Sequence, residues 1–157
     1  MEFIRTPEDF YTSLEIALTD IDPKWESYPG LIIAGTHKPQ DIEERLKVIE
    51  GARLSGTPYL GICHGHQLAI IETARNVWGI KDATSEEFGE GTHVILKRKS
   101  LSVGSHDGET YWSNYDAPVE WRLPEHFYTA SYHPEYQSSI TKPHPLLVSF
   151  LDHALSM

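Results

Sequence analysis

The only cysteine of this chain, Cys63, stands where an apolar strand turns directly into a helix. It lies in Pro58-Tyr59-Leu60-Gly61-Ile62-Cys63-His64-Gly65-His66-Gln67. A sharp strand-to-helix turn lifts such a side chain above the sheet edge, and the flanking Gly61 and Gly65 allow the close backbone approach the turn needs. The positive end of the following helix favours an anionic sulfur. The backbone N–H of His64 is placed to hold an oxyanion. By itself the stretch also fits an inert cysteine buried at a strand end. A second stretch, Tyr128-Thr129-Ala130-Ser131-Tyr132-His133-Pro134-Glu135, delivers His133 at the end of another strand, with Glu135 two residues on. A Cys–His pair needs a third group to fix the imidazole tautomer, and a nearby carboxylate can supply it. Taken together, the two stretches predict Cys63 as nucleophile, His133 as its base and Glu135 as the group that orients the base.

The string Cys63-His64-Gly65-His66 can also be read as metal ligands. Zinc sites take three or four ligands with partners elsewhere, and an elbow points neighbouring side chains apart, so no metal and no cofactor is expected. There is no G-x-x-x-x-G-K-[ST] phosphate loop.

These residues must be positioned by alternating strands and helices. Residues 3–5 read as a short strand. Thr6-Pro7-Glu8-Asp9 reads as a helix start, with Thr6 as N-cap, Pro7 at the first helical position and acids in the first turn, the helix running to about Leu18. Tyr28-Pro29-Gly30 breaks the chain before the apolar run Leu31-Ile32-Ile33-Ala34, of the kind buried in a parallel sheet. Residues 40–54 form an amphipathic pattern, with Ile42, Leu46, Ile49 and Leu54 on or near one stripe. Strand 59–62 and a helix from His64 to Trp78 follow. From His93 to Ser131 the pattern changes to short alternating strands with turn signals, such as Gly104-Ser105-His106-Asp107-Gly108, and a last helix spans about 144–155. This order predicts an α/β fold over 1–157 as a single domain. A mostly parallel central sheet is flanked by helices on both faces in a flavodoxin-like three-layer arrangement, with a small antiparallel extension.

The 157 residues carry a formal net charge of −10, with 23% charged and 39% hydrophobic residues. That suits a soluble globular domain. An acidic chain argues against nucleic-acid and anionic-membrane partners, which select for basic patches. The longest basic run, Lys97-Arg98-Lys99, reads as a solvated sheet edge. One cysteine allows no intramolecular disulfide. The first residues lack the pattern of a signal peptide, and no apolar run is long enough to span a bilayer. The expected location is cytoplasmic.

The elbow and the His-Pro-Glu stretch resemble the signature motifs of class I glutamine amidotransferases, most of all the glutaminase domain found in CTP synthases. That family carries a G-I-C-x-G-x-Q elbow and a final H-P-E. The likeness continues through Gln67 to Val77, through Lys81-Asp82-Ala83-Thr84-Ser85-Glu86-Glu87-Phe88, and from His133 to Ala154. It covers about two-thirds of the chain, 28–95 and 126–155. The resemblance implies Cys63, His133 and Glu135 as the triad, Gln67 and Glu87 as residues that help hold glutamine, and Leu31 to Thr36 as the strand and loop supplying the rest of the oxyanion hole.

The chain also departs from that family. The family's Pro-Gly-Gly-Phe loop reads Ala34-Gly35-Thr36-His37, so Thr36 replaces a glycine and the loop loses freedom at positive φ. Gly35, Thr36 and His64 are the candidate oxyanion donors. His37 and His64 are extra histidines near the nucleophile, able to adjust it, to contact a substrate, or simply to face solvent. Cys63 and His133 are 70 residues apart, a shorter interval than the family's. The missing piece is where the family's arginine clamp for the glutamine carboxylate sits, and loss of a bidentate clamp would weaken glutamine selectivity. Asn114 and Asp116 could line the pocket in its place, or be ordinary hairpin residues. The strand-helix unit with which the family domain opens is expected to be lacking here, which would leave strand 3–5 as an edge that a homodimer could cover.

Three functions follow from this reading. One is a glutaminase that passes ammonia to a separate synthetase subunit. A second is a stand-alone hydrolase acting on another small amide. A third is a non-catalytic relative serving as an interaction or regulatory module.

Overall fold

A computed structural model of the chain describes residues 1–85, 88, 120–122 and 124–157, and the backbone alone for the strands at 93–96, 98–106 and 109–115. In order along the chain the elements are β1 (Glu2–Ile4), α1 (Thr12–Ile21), β2 (Leu31–Ile33), α2 (Ile42–Ser55), β3 (Tyr59–Ile62), α3 (His64–Asn76) and β4 (Ala83–Ser85). They continue with β5 (His93–Leu96), β6 (Arg98–His106), β7 (Glu109–Tyr115), β8 (Glu120–Trp121), β9 (Phe127–Ala130) and α4 (Pro145–Ser156).

Five strands form the central sheet in the order β1-β2-β3-β9-β8. The first four are parallel, and β8 pairs antiparallel with β9. Alternate residues of the buried strands serve opposite faces, as the period of two requires. Ile32, Leu60, Ile62, Tyr128 and Ala130 pack with Leu14, Leu18, Leu147 and Phe150 of α1 and α4. Leu31, Ile33, Tyr59 and Phe127 pack with Leu46, Ile49, Leu68 and Ile71 of α2 and α3. The fold is therefore the expected three-layer, flavodoxin-like α/β arrangement with a helix pair on each face.

Ion pairs tie α2 to α3 along the outer layer. Arg53 donates through Nε to both oxygens of the buried Glu72, at 2.9 and 3.0 Å. Arg75 pairs with Glu43 at 2.8 Å and donates to the carbonyl of Ala83. Helix α2 ends at Gly56, whose φ of 75° is the left-handed conformation that terminates helices without a Cβ penalty. At the start of α4, His144 is the N-cap. Its Nδ1 accepts from the backbone N–H of Leu146 at 3.1 Å, and Pro145 follows at the first helical position.

Three local expectations are corrected. The first helix does not begin at Thr6. The Asp9 carboxylate accepts from the Thr6 backbone N–H at 2.7 Å and from its hydroxyl at 3.0 Å. This local closure competes with helix formation, and the helix starts instead at Thr12. Leu54 does not join the buried stripe of α2 but is 71% exposed. Strand β5, expected within the antiparallel extension that begins at His93, instead pairs parallel with β4. The antiparallel extension consists of the β6–β7 hairpin, while β8 extends the main sheet.

Candidate active site

The site forms at the carboxyl ends of β3 and β9, neighbours in the sheet although far apart in sequence. Their register runs from Tyr59 opposite Phe127 to Ile62 opposite Ala130. One residue beyond β3, the Cys63 N–H donates to the Ala130 carbonyl at 2.7 Å. Three residues beyond β9 stands His133, so the sheet itself brings nucleophile and base to one edge.

Cys63 has φ 52° and ψ −93°, a conformation that side-chain-bearing residues rarely adopt. The surrounding packing maintains it. A Cβ on Gly61 would lie 2.7 Å from the Gly65 backbone, and one on Gly65 would lie 2.3 Å from the Ile33 carbonyl oxygen. The first turn of α3 therefore rests directly on β2 and β3. The Tyr59 hydroxyl, fully buried, locks this contact by donating to the Gly65 carbonyl at 2.7 Å. On the far side of that turn, His66 Nδ1 meets the Thr129 hydroxyl of β9 at 2.9 Å.

Behind His133 a short 3-10 turn, Pro134–Gln137, folds Glu135 back beneath the ring. Nδ1 of His133 and Oε1 of Glu135 are 2.7 Å apart. The Glu135 side chain is fully buried. Burial alone would pull the imidazole toward neutrality. Hydrogen bonds to Cys63 and Glu135, reinforced by the charges of both, outweigh it and raise His133 from 6.5 to about 10. The ring is thus an imidazolium at neutral pH, with Nδ1–H donating to the carboxylate. Aromatic rings hold it on two sides. Tyr136 stacks on it at 5.3 Å between centroids, and Phe10 meets it edge-on at 5.7 Å.

The other predicted residues fall in several places. Gly35 is buried beside both catalytic side chains: a Cβ there would lie 2.7 Å from His133 Cε1 and 3.4 Å from Cys63 Cβ. Thr36 follows it and is also buried. His37 is exposed, with its ring 4.2 Å from that of Phe10. His64 does not face solvent. It is fully buried, packs edge-on to Phe88, and neither ring nitrogen has a hydrogen-bond partner among the described residues. Burial, aided by the positive Arg45 and opposed by Asp9, lowers it to about 3. Gln67 is buried one turn into α3, where its Oε1 accepts from the Ser85 hydroxyl at 2.5 Å. Asn114 lies on β7. Glu87 and Asp116 lie outside the described residues. No group of three or more His, Cys, Asp or Glu arranged to hold a metal ion occurs among the described residues. Nor is any helix among them long and apolar enough to cross a membrane.

Sequence reasoning missed Phe10, Tyr136 and the buried Asp9–Arg45 pair, whose closest atoms are 3.4 Å apart. Tyr136 adjoins the His-Pro-Glu stretch, which could have drawn attention to it. Phe10 and Arg45 carry no local signal, because only the tertiary fold brings Phe10 beside His133 and Arg45 beside His64.

The sequence model of the class-I glutamine amidotransferase family matches residues 10–119, a span that contains the elbow. The chain belongs to that family. Among curated relatives is the CTP synthase of Methanoregula boonei, 37% identical over 71% of this chain and 25% of that protein. The CTP synthase of Methanosphaerula palustris is 34% identical over 87% of the chain and 25% of its own length. That of Methanoculleus marisnigri is 29% identical over 92% and 41% respectively. The chain thus spans about two-fifths or less of the length of these relatives. Among solved structures, the glutaminase domain of Trypanosoma brucei CTP synthase, determined with bound acivicin, superposes with a TM-score of 0.75. The match has 17% identity and covers 98% of this chain and 92% of that one. At that identity the likeness speaks for the fold.

Proposed function

We propose that the protein is a cysteine-dependent amidohydrolase that cleaves glutamine or a related small amide through a thioester on Cys63. The observation that carries this reading is the juxtaposition of a strained elbow cysteine with a histidine hydrogen-bonded to a buried carboxylate. In the reacting pair a Cys63 thiolate faces the His133 imidazolium, whose charge the buried Glu135 carboxylate balances. The thiolate attacks the amide carbonyl. Backbone N–H groups of His64 and of Gly35 or Thr36 hold the developing oxyanion. His133 gives its proton to the departing nitrogen, and ammonia or an amine leaves. Now neutral, His133 takes a proton from water, the resulting hydroxide attacks the thioester, and the acid departs as the thiolate–imidazolium pair re-forms.

The family and the relatives named CTP synthase support glutamine as the substrate, with ammonia passing to a separate synthetase. A second reading, hydrolysis of another small amide, draws on the arginines. Of those after the elbow whose side chains are described, Arg75 is engaged by Glu43 and the Ala83 carbonyl, and Arg122 lies over the Tyr128 ring at 4.0 Å. Arg75 is therefore already committed to protein acceptors. Ammonia release from L-glutamine and from a panel of small primary amides, measured for wild type and Cys63→Ala, tests both readings. Turnover of glutamine that requires Cys63 supports the first, and turnover of other amides alone supports the second. Equal rates for the two proteins on every substrate would remove the proposal.

A further inference from the structure

The segment Thr6–Phe10 lies against the loop that follows β2. Asp9 and Thr36 form an isolated antiparallel bridge, and the Phe10 N–H donates to the Gly35 carbonyl at 2.8 Å. In a trans peptide the C=O and the next N–H point in opposite directions. Because the Gly35 carbonyl is turned toward Phe10, the Thr36 N–H is turned away from it. Direction follows from the sheet order. Strand β2 lies between β1 and β3, and the 6–10 segment continues from β1. The flank opposite Phe10 is therefore that of β3, which ends in Cys63. The short distance from Gly35 to Cys63 Cβ agrees with this placement.

Asp9 holds the segment in place. It closes the Thr6 turn through both carboxylate oxygens and pairs with the buried Arg45 of α2. Thr36 cannot relax as a glycine would, and its hydroxyl is committed to the Lys38 N–H at 3.1 Å. The loop's peptide orientation is thus imposed from outside.

We propose that Asp9 and Phe10 are positioning residues that turn the Thr36 N–H toward Cys63, making that peptide the second oxyanion donor. The proposal rests on Cys63 acting as an acyl-transfer nucleophile. Its specific content is that acylation, but not simple alkylation, depends on this segment.

Two probes separate the cases without knowledge of the natural substrate. With 4-nitrophenyl acetate, the Cys63 thiolate attacks the carbonyl, a carbon–sulfur bond forms through a tetrahedral oxyanion, and 4-nitrophenolate leaves. With iodoacetamide, the thiolate displaces iodide at a saturated carbon and no oxyanion forms. Phe10→Pro removes the N–H that holds the Gly35 carbonyl. Its nitrophenolate burst should be about 10²-fold slower than that of Phe10→Leu, the scale for loss of one oxyanion donor, while the iodoacetamide rates of these two variants stay within about twofold of each other. Phe10→Leu keeps the N–H and, like Phe10→Pro, loses the ring that meets His133, so comparing the two isolates the N–H. If circular dichroism shows Phe10→Pro unfolded, Asp9→Asn decides, with an expected slowing of the burst of roughly 3–10-fold and alkylation again spared. Acylation at the wild-type rate in the folded variant, or acylation and alkylation falling together, overturns the proposal. A wild type no faster than Cys63→Ala toward the ester overturns the nucleophile reading itself.

Discussion

A Cβ placed on Gly35 would lie 2.7 Å from Cε1 of His133, so the loop after β2 and the catalytic base fit together with no room for a methyl group. Gly35→Ala should therefore displace the imidazole from Cys63 while leaving the sheet intact. The expected result is a fall of roughly 10²-fold or more in kcat at near-normal melting temperature, since small misplacements of a reacting group have effects of that size. Steady-state kinetics with a melting curve check it.

Glu135→Gln preserves the shape of the buried side chain and removes its charge. The hydrogen bond from His133 Nδ1 can persist, but the electrostatic support that raises the base to about 10 is reduced. The imidazolium should deprotonate at a lower pH than in wild type. Titration of the His133 ring by NMR would show this, and kcat should fall by about 10²-fold.

The two histidines flanking the reaction make opposite demands on pH. His133, raised above its unfolded value, adds stability that is fully present below about pH 6.5 and is lost as pH rises toward 10. His64, lowered to about 3, does the reverse: its unfolded form takes up a proton below about pH 6.5, so its contribution is lost as pH falls toward 3. His64→Met should flatten the decline in melting temperature between pH 6.5 and 4. It should also raise stability at neutral pH, because two buried nitrogens without partners among the described residues are removed.

Arg53→Met leaves the fully buried Glu72 carboxylate with only Asn76 as a side-chain donor among the described residues. Breaking one side of a buried pair costs about 3 kcal/mol. Urea unfolding should show that loss as a lower midpoint with an unchanged slope.

Cys63→Gly should be inactive yet more stable than wild type. Glycine adopts φ 52° without the steric penalty a Cβ incurs, and relief of such strain is worth on the order of 1 kcal/mol. Cys63→Ala, which retains the Cβ, should not gain this. Comparing the two by thermal unfolding isolates the strain stored at the elbow.

How much of this was legible beforehand depended on whether the signal was local. The buried strands announced themselves as short apolar runs bounded by breakers, and the elbow and His-Pro-Glu stretches each carried glycine, proline and reactive residues within ten positions. Thr6-Pro7-Glu8-Asp9 misled because a capping signature and a compact turn use the same residue types. What decided between them was the docking of Asp9 against Thr36 and Arg45, distant in sequence. Leu54 misled for a related reason: the core side of α2 is taken up by Leu46, Ile49 and Ala52, and the next position toward α3 is used by Arg53 to reach Glu72. His64 was legible as unusual, but not as buried, since nothing in its neighbourhood forecasts a ring enclosed near Arg45 and Phe88.

The alignment of Ile62 with Ala130 has a wider meaning for how such a protein can change. Nucleophile and base are brought together by two strands that are adjacent in space, and the chain linking them, including β4 to β7, contributes no strand between them. That link can be shortened, lengthened or replaced without altering the distance across which the proton moves. Reactivity and choice of substrate are then inherited as separate traits, one written in the sheet and the other in the excursion, and an old reaction can acquire a new client by exchanging the second alone.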